Sequence, residues 1–140
     1  MNFTRKASAN WKGGGKDGQG SITTGSGVLD NTRYSFGTRF ENDVKGTNPE
    51  ELIGAAHSGC FTMQLSFLLG EAGYTPDDLQ TDAKVTFKDG EIVNITLDLT
   101  GKVPNISESE FKAIAQKAKE VCPISKLLAT EITLLAKLAS

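Results

Sequence analysis

From Leu52 to Gly70 nineteen consecutive residues carry no formal charge, and the segment leading into them reads Asn48-Pro49-Glu50-Glu51. Asparagine is a good helix N-cap, proline suits the first helical position, and two carboxylates complement the positive end of the helix dipole. Glu51 stands three residues after Asn48, where a capping box has its acid. The pattern predicts a helix that stops at Gly70 or Gly73. Leu52, Ala56, Cys60, Met63 and Phe67 share one side of it, while Ile53, Phe61, Leu65 and Leu68 cover others. A helix apolar around most of its circumference must be covered on most faces. The stretch is near the length of a membrane span. It also holds His57, Ser58, Thr62, Gln64 and Ser66, which are many polar groups to bury in lipid. The expectation is a buried helix in a folded protein, with no membrane. Gly54, Ala55, Ala56, Ser58 and Gly59 form a run of small residues that lets another backbone, a second helix or a substrate come close.

Around this helix the chain reads as short strands and two more helices. Alternation over 3–11 and the five glycines between Lys12 and Gly20 predict a strand and a hairpin loop. Further strands are expected at 21–24, 27–29 and 34–40. The glycine-rich loop lacks the order of a phosphate-binding loop and opens no helix. Residues 80–87 and 92–99 alternate about a Lys88-Asp89-Gly90 turn. A second helix starts at Ser107, with Glu110 placed for a capping box, and Pro123 ends it. A short third helix follows through Leu128, then a strand over 131–138. The order is β-rich, helix, ββ, helix, β, without regular βαβ alternation, which argues α+β with antiparallel sheet. Nothing in the chain of 140 residues divides it, so 1–140 is expected to be a single domain.

The net charge is −2, and neither half of the chain is basic. Nucleic acid and anionic membrane surfaces are therefore not expected partners. No apolar region follows Arg5 and Lys6 as in a secretory signal, so a cytoplasmic location is expected. One histidine and two cysteines are few for a zinc site, although His57 and Cys60 share a helix face and Cys122 with a carboxylate could complete one. A Cys–His nucleophile pair would have no special need for Cys122. Cys60 and Cys122 are either inert core residues or a redox pair, and composition leaves both open. Cys60 lies 12 residues past Asn48, beyond the reach of the helix dipole. Burial among Phe61, Met63 and Phe67 would raise its pKa. A reactive Cys60 therefore needs a cation brought to it, and the chain holds three arginines, Arg5, Arg33 and Arg39.

Gly46-Thr47 followed by NPEELIGAAHSGCF (48–61) resembles the OsmC family of osmotically inducible proteins, relatives of the organic hydroperoxide resistance proteins. GVLD at 27–30, TRFE at 38–41, LGEAGYTP at 69–76 and KAKEVCPISKLLATEITL at 117–134 continue the match in order. The TRFE segment favours the OsmC branch. The resemblance implies an OsmC-like α+β fold, with antiparallel sheets packed around a long central helix in an intertwined homodimer. It implies a thiol-dependent peroxidase that reduces organic hydroperoxides, and hydrogen peroxide less well. Cys60 matches the peroxidatic cysteine, Cys122 the resolving cysteine, Arg39 the activating arginine and Glu50 the acid that orients it. A Cys60 sulfenic acid and a Cys60–Cys122 disulfide would form in turn, recycled by a dithiol reductant of the lipoyl type, without cofactor or metal. The other reading is a non-catalytic redox sensor or an apolar-ligand-binding stress protein.

Overall fold

A computed structural model describes residues 1–43 and 45–139. Val44 and Ser140, both inside the expected 1–140 domain, lie outside the described residues. The chain gathers into two units, Met1–Leu52 and Ile53–Ser140.

In the first unit, β1 (Ala7–Lys12), β2 (Gln19–Thr24) and β3 (Thr32–Tyr34) form an antiparallel sheet in that order. Every residue of β1 is exposed. The expected strand at 27–29 is instead part of the turn between β2 and β3. Thr24 folds back there, its N–H donating to the Leu29 carbonyl at 2.9 Å and its hydroxyl accepting from the Leu29 N–H at 3.1 Å. The expected strand at 34–40 is corrected as well. Its second half is a helix, α1 (Phe36–Phe40). Ser35 Oγ accepts from the Thr38 N–H at 3.2 Å, and Thr38 Oγ1 accepts from the Ser35 N–H at 2.8 Å. This reciprocal box satisfies donors that a helix start leaves unpaired, and overrides the alternation of Tyr34, Phe36 and Phe40.

The long helix α2 (Pro49–Glu71) begins in the first unit and continues through the second. Asn48 caps it as expected, Oδ1 accepting from the Glu51 N–H at 2.7 Å. The capping box is not completed, because the Glu51 carboxylate accepts from the Thr47 hydroxyl at 2.8 Å instead. By length and composition α2 is apolar enough to cross a membrane. One of its faces is committed to protein: Gly54, His57, Phe61, Leu65 and Leu69 are buried, at helical spacing.

In the second unit β4 (Asp78–Lys88) and β5 (Glu91–Lys102) form an antiparallel hairpin. Asp89 and Gly90 both take positive φ, 51° and 84°, as a two-residue hairpin turn requires. β6 (Glu131–Leu138) lies beside β5 and runs parallel to it. The expected antiparallel pairing holds in the first sheet and between β4 and β5, and β6 departs from it. The helices α3 (Glu108–Val121) and α4 (Pro123–Leu127) carry the chain back before β6 begins, and a parallel pair needs such a crossover. Ser107 caps α3, accepting from the Glu110 N–H at 3.2 Å. Here too the box stays open, because the Glu110 carboxylate accepts from the Tyr74 hydroxyl at 3.0 Å.

The apolar core belongs to this unit. Phe61, Leu65 and Leu69 of α2, Ile95, Leu97 and Leu99 of β5, and Phe111, Ala115 and Ala118 of α3 are all buried, and Cys122 joins them. Both helices come close to the sheet at glycines. A Cβ at Gly54 would meet Val85 at 3.4 Å, and one at Gly101 would collide with the Phe111 ring. Cys122 belongs to this packing at the junction of α3 and α4, and Cys60 on α2 lies against it, part-exposed.

Candidate active site

Asn48 organises the first half of the site. Its Oδ1 caps α2, and its Nδ2 donates to the Thr38 carbonyl at 3.1 Å. One side chain thereby ties α1, which carries Arg39, to the first turn of α2, which carries Glu50. Arg39 Nε donates to both Glu50 carboxylate oxygens, at 2.9 and 3.2 Å. The guanidinium carbon lies 4.9 Å from the Phe40 ring centroid, a cation–π contact. The Arg39 side chain is 39% exposed and that of Glu50 only 14%. Among the described residues neither terminal nitrogen of Arg39 has a hydrogen-bond partner. The arginine is held by one nitrogen and keeps the outer end of its fork for another acceptor.

The second half is a pair of thiols. Cys122 closes α3, its N–H donating to the Ala118 carbonyl at 2.9 Å, and it directly precedes Pro123 at the start of α4. It is fully buried, and Cys60 on α2 is half-buried. The two sulfurs are 2.8 Å apart. That is longer than the roughly 2.05 Å of a disulfide, so both cysteines are free thiols held in contact. Burial and then the neighbouring Cys122 push the Cys60 thiol up, while the backbone N–H of Ile124 on α4 pulls it down. Among the described residues of its own unit no cation contributes to that balance.

His57 sits one helical turn before Cys60. It is completely buried. Its Nε2 shares a 2.8 Å hydrogen bond with Ser125 Oγ on α4, and its Nδ1 has no partner among the described residues. Burial lowers its pKa, so the ring is neutral. His57 is thus a core histidine satisfied at one nitrogen. Sequence reasoning missed Ser125 and Ile124. The signal for Ser125 lay in the spacing: it follows Cys122 by three residues, as Cys60 follows His57.

The four candidate residues come together as two pairs, Arg39 with Glu50 in the first unit and Cys60 with Cys122 in the second. The apolar surroundings expected for Cys60 are corrected in part. Phe61 faces the core with no exposure, whereas Met63 and Phe67 are each 63% exposed. The run of small residues divides in the same way. Gly54 is taken up by β4, and Gly59 faces open space. Among the described residues no three His, Cys, Asp or Glu side chains gather as a metal site would require.

The family model for OsmC-like proteins matches residues 41–136, which contain both cysteines and Glu50. The chain belongs to the OsmC family. It is 49% identical to "Peroxiredoxin OsmC" of Escherichia coli K12 over 138 residues, 96% of each chain. It is 30% identical to the organic hydroperoxide resistance protein OhrA of Bacillus subtilis over 132 residues, 90% of each. Among solved structures, the organic hydroperoxide resistance protein OhrB of B. subtilis superposes with a TM-score of 0.69 at 26% identity, covering 98% of both chains. The α+β fold is that of the OsmC and Ohr proteins. The family match begins just after Arg39, at the last residue of the TRFE segment.

Proposed function

We propose that this chain is a cysteine-based peroxidase that reduces organic hydroperoxides to alcohols, working as an intertwined cytoplasmic homodimer. The observation that carries the reading is the contact between the two thiols at 2.8 Å, in a chain whose relatives are named peroxiredoxin and organic hydroperoxide resistance protein. The Cys60 thiolate attacks the terminal oxygen of ROOH. The O–O bond breaks, the alcohol leaves with a proton, and Cys60 becomes a sulfenic acid. Cys122 then attacks the Cys60 sulfur, forming the disulfide and releasing the oxygen as water. A dithiol of the lipoyl type returns both thiols by exchange and is itself oxidised to its disulfide.

Arg39 supplies the charge that Cys60 lacks in its own surroundings. Its free terminal nitrogens suit a thiolate and a peroxide oxygen at once, and Glu50 fixes the plane of the fork. Exposed Met63 and Phe67, one and two turns beyond Cys60, suit an alkyl or aryl tail. A dithiol cycle of this kind fits a reducing compartment. The test is steady-state peroxide consumption with dithiothreitol. Catalytic turnover is expected, with higher kcat/KM for cumene hydroperoxide than for hydrogen peroxide, and a disulfide form lighter by two hydrogens in intact-mass spectra. Consumption of a single equivalent without turnover would replace the enzyme by a sensor.

A further inference from the structure

Two contacts join α2 to the corner between α3 and α4, and they are consecutive rungs. Cys60 meets Cys122, and His57 meets Ser125, each at 2.8 Å. Three residues separate the rungs on both sides, in opposite chain directions. We propose that the His57–Ser125 hydrogen bond is a latch that holds Cys122 in line with the oxidised Cys60, making His57 a positioning residue for the resolving step. The inference rests on the peroxidase reading of the two cysteines.

The corner needs such a latch. α4 is five residues long, too short to be stable without tertiary contacts. Its first residue is Pro123, whose ring fixes φ but offers no N–H to a neighbouring element. Its second, Ile124, has its backbone N–H beside the Cys60 thiol and pulls that thiol's pKa down. Oxidation puts an oxygen on that sulfur and changes this contact at the moment Cys122 must attack. The His57–Ser125 bond involves neither sulfur and persists through the step. It is also shielded, because His57 is completely buried and Ser125 half-buried.

The chemistry at stake is a competition. Cys60–SOH and Cys122–SH give the disulfide and water. Cys60–SOH and a second ROOH give the sulfinic acid and ROH. Alignment of Cys122 governs the first and leaves the second untouched. Ser125→Ala and His57→Phe should therefore resemble a weakened form of Cys122→Ser.

The experiment follows two quantities in the full-length protein. One is the rate at which Cys60 consumes its first equivalent of cumene hydroperoxide. The other is the peroxide concentration at which half of Cys60 ends as sulfinic acid, read by intact mass. In Ser125→Ala and His57→Phe the first is expected within about twofold of wild type, and the second lower by about fivefold or more. His57→Gln carries an amide nitrogen near the Nε2 position and should keep both quantities at their wild-type values. Ser125→Ala loses one oxygen from a half-buried side chain, so it decides the matter if His57→Phe does not fold. A wild-type partition in Ser125→Ala, or an equal fall in both quantities, overturns the latch. A wild-type protein that never forms the disulfide overturns the peroxidase reading itself, and the latch with it.

Discussion

Arg39 holds Glu50 through one nitrogen and keeps two. A lysine at that position keeps the charge but is a single point, unable to face a carboxylate and a peroxide oxygen together. Arg39→Lys should lower kcat/KM for cumene hydroperoxide by about 100-fold, the scale of one lost oriented donor. A part-exposed ion pair contributes about 0–1 kcal/mol to stability, so the melting temperature should change little. Near-normal activity would make the arginine peripheral. His57 supports a separate prediction about pH. Its folded pKa lies below the ordinary 6.5 because burial favours the neutral ring. As pH falls below about 6.5 the unfolded chain takes up the proton first, so stability is complete above that point and is lost as pH drops through the depressed value. The urea midpoint should be level near neutrality and fall through mildly acidic pH, with a shallower fall in His57→Gln. Equal slopes in the two proteins would assign the loss to other groups.

At the scale of elements, the parts readable in the sequence were those with a local cause. Asn48-Pro49 starts α2, Ser107 starts α3, Asp89-Gly90 turns the hairpin, and Pro123 separates α3 from α4. The parts that were not readable depend on distant partners. Glu51 and Glu110 sit where capping-box acids belong, yet Thr47 and Tyr74 offer them hydroxyls. The alternation of β6 shows a strand but not its direction, which the crossover through α3 and α4 sets. α1 was hidden for a different reason: five residues are too few to show a helical period, and its box uses threonine in place of an acid. In the candidate site, Cys60, Cys122, Arg39 and Glu50 and their pairing were legible through the family resemblance, and the structure adds the geometry of each pair. Ser125 is harder to read, because its partner lies 68 residues away and the matching three-residue steps acquire meaning only through the Cys60–Cys122 contact. The box that defines α1 also frames Arg39. Ser35→Ala should cost about 1 kcal/mol, as the loss of an N-cap does. It should reduce peroxidase activity with both thiols still titratable. Unchanged stability and activity would mean that α1 forms and holds Arg39 without its cap.

At the scale of the whole molecule, one chain leaves apolar and reactive groups uncovered. Met63 and Phe67 are each 63% exposed on α2, Gly59 between them and Ala56 faces open space, and β1 is exposed throughout. Two α2 helices crossing antiparallel at a two-fold axis would cover this stripe, with the small residues permitting close approach. The same arrangement answers the electrostatic problem at Cys60, which burial pushes up and no described cation of its own unit pulls down. Glu50 and Cys60 are ten residues apart on one helix, about 15 Å. In an antiparallel pair, Glu50 of one subunit, with Arg39 beside it, approaches Cys60 of the other. Shared sites make a sharp prediction for mixed dimers. Arg39→Met and Cys60→Ser homodimers should each be inactive. After the two are unfolded together and refolded in equal amounts, half the dimers should be mixed. Each mixed dimer then joins an intact Cys60 from one chain to an intact Arg39 from the other, restoring one of its two sites. Activity should return to about one quarter of wild type, the product of those two halves. If each site were built from a single chain, every site in the mixture would lack one residue or the other. The mixture would then stay as inactive as its parents, and the shared site would be excluded.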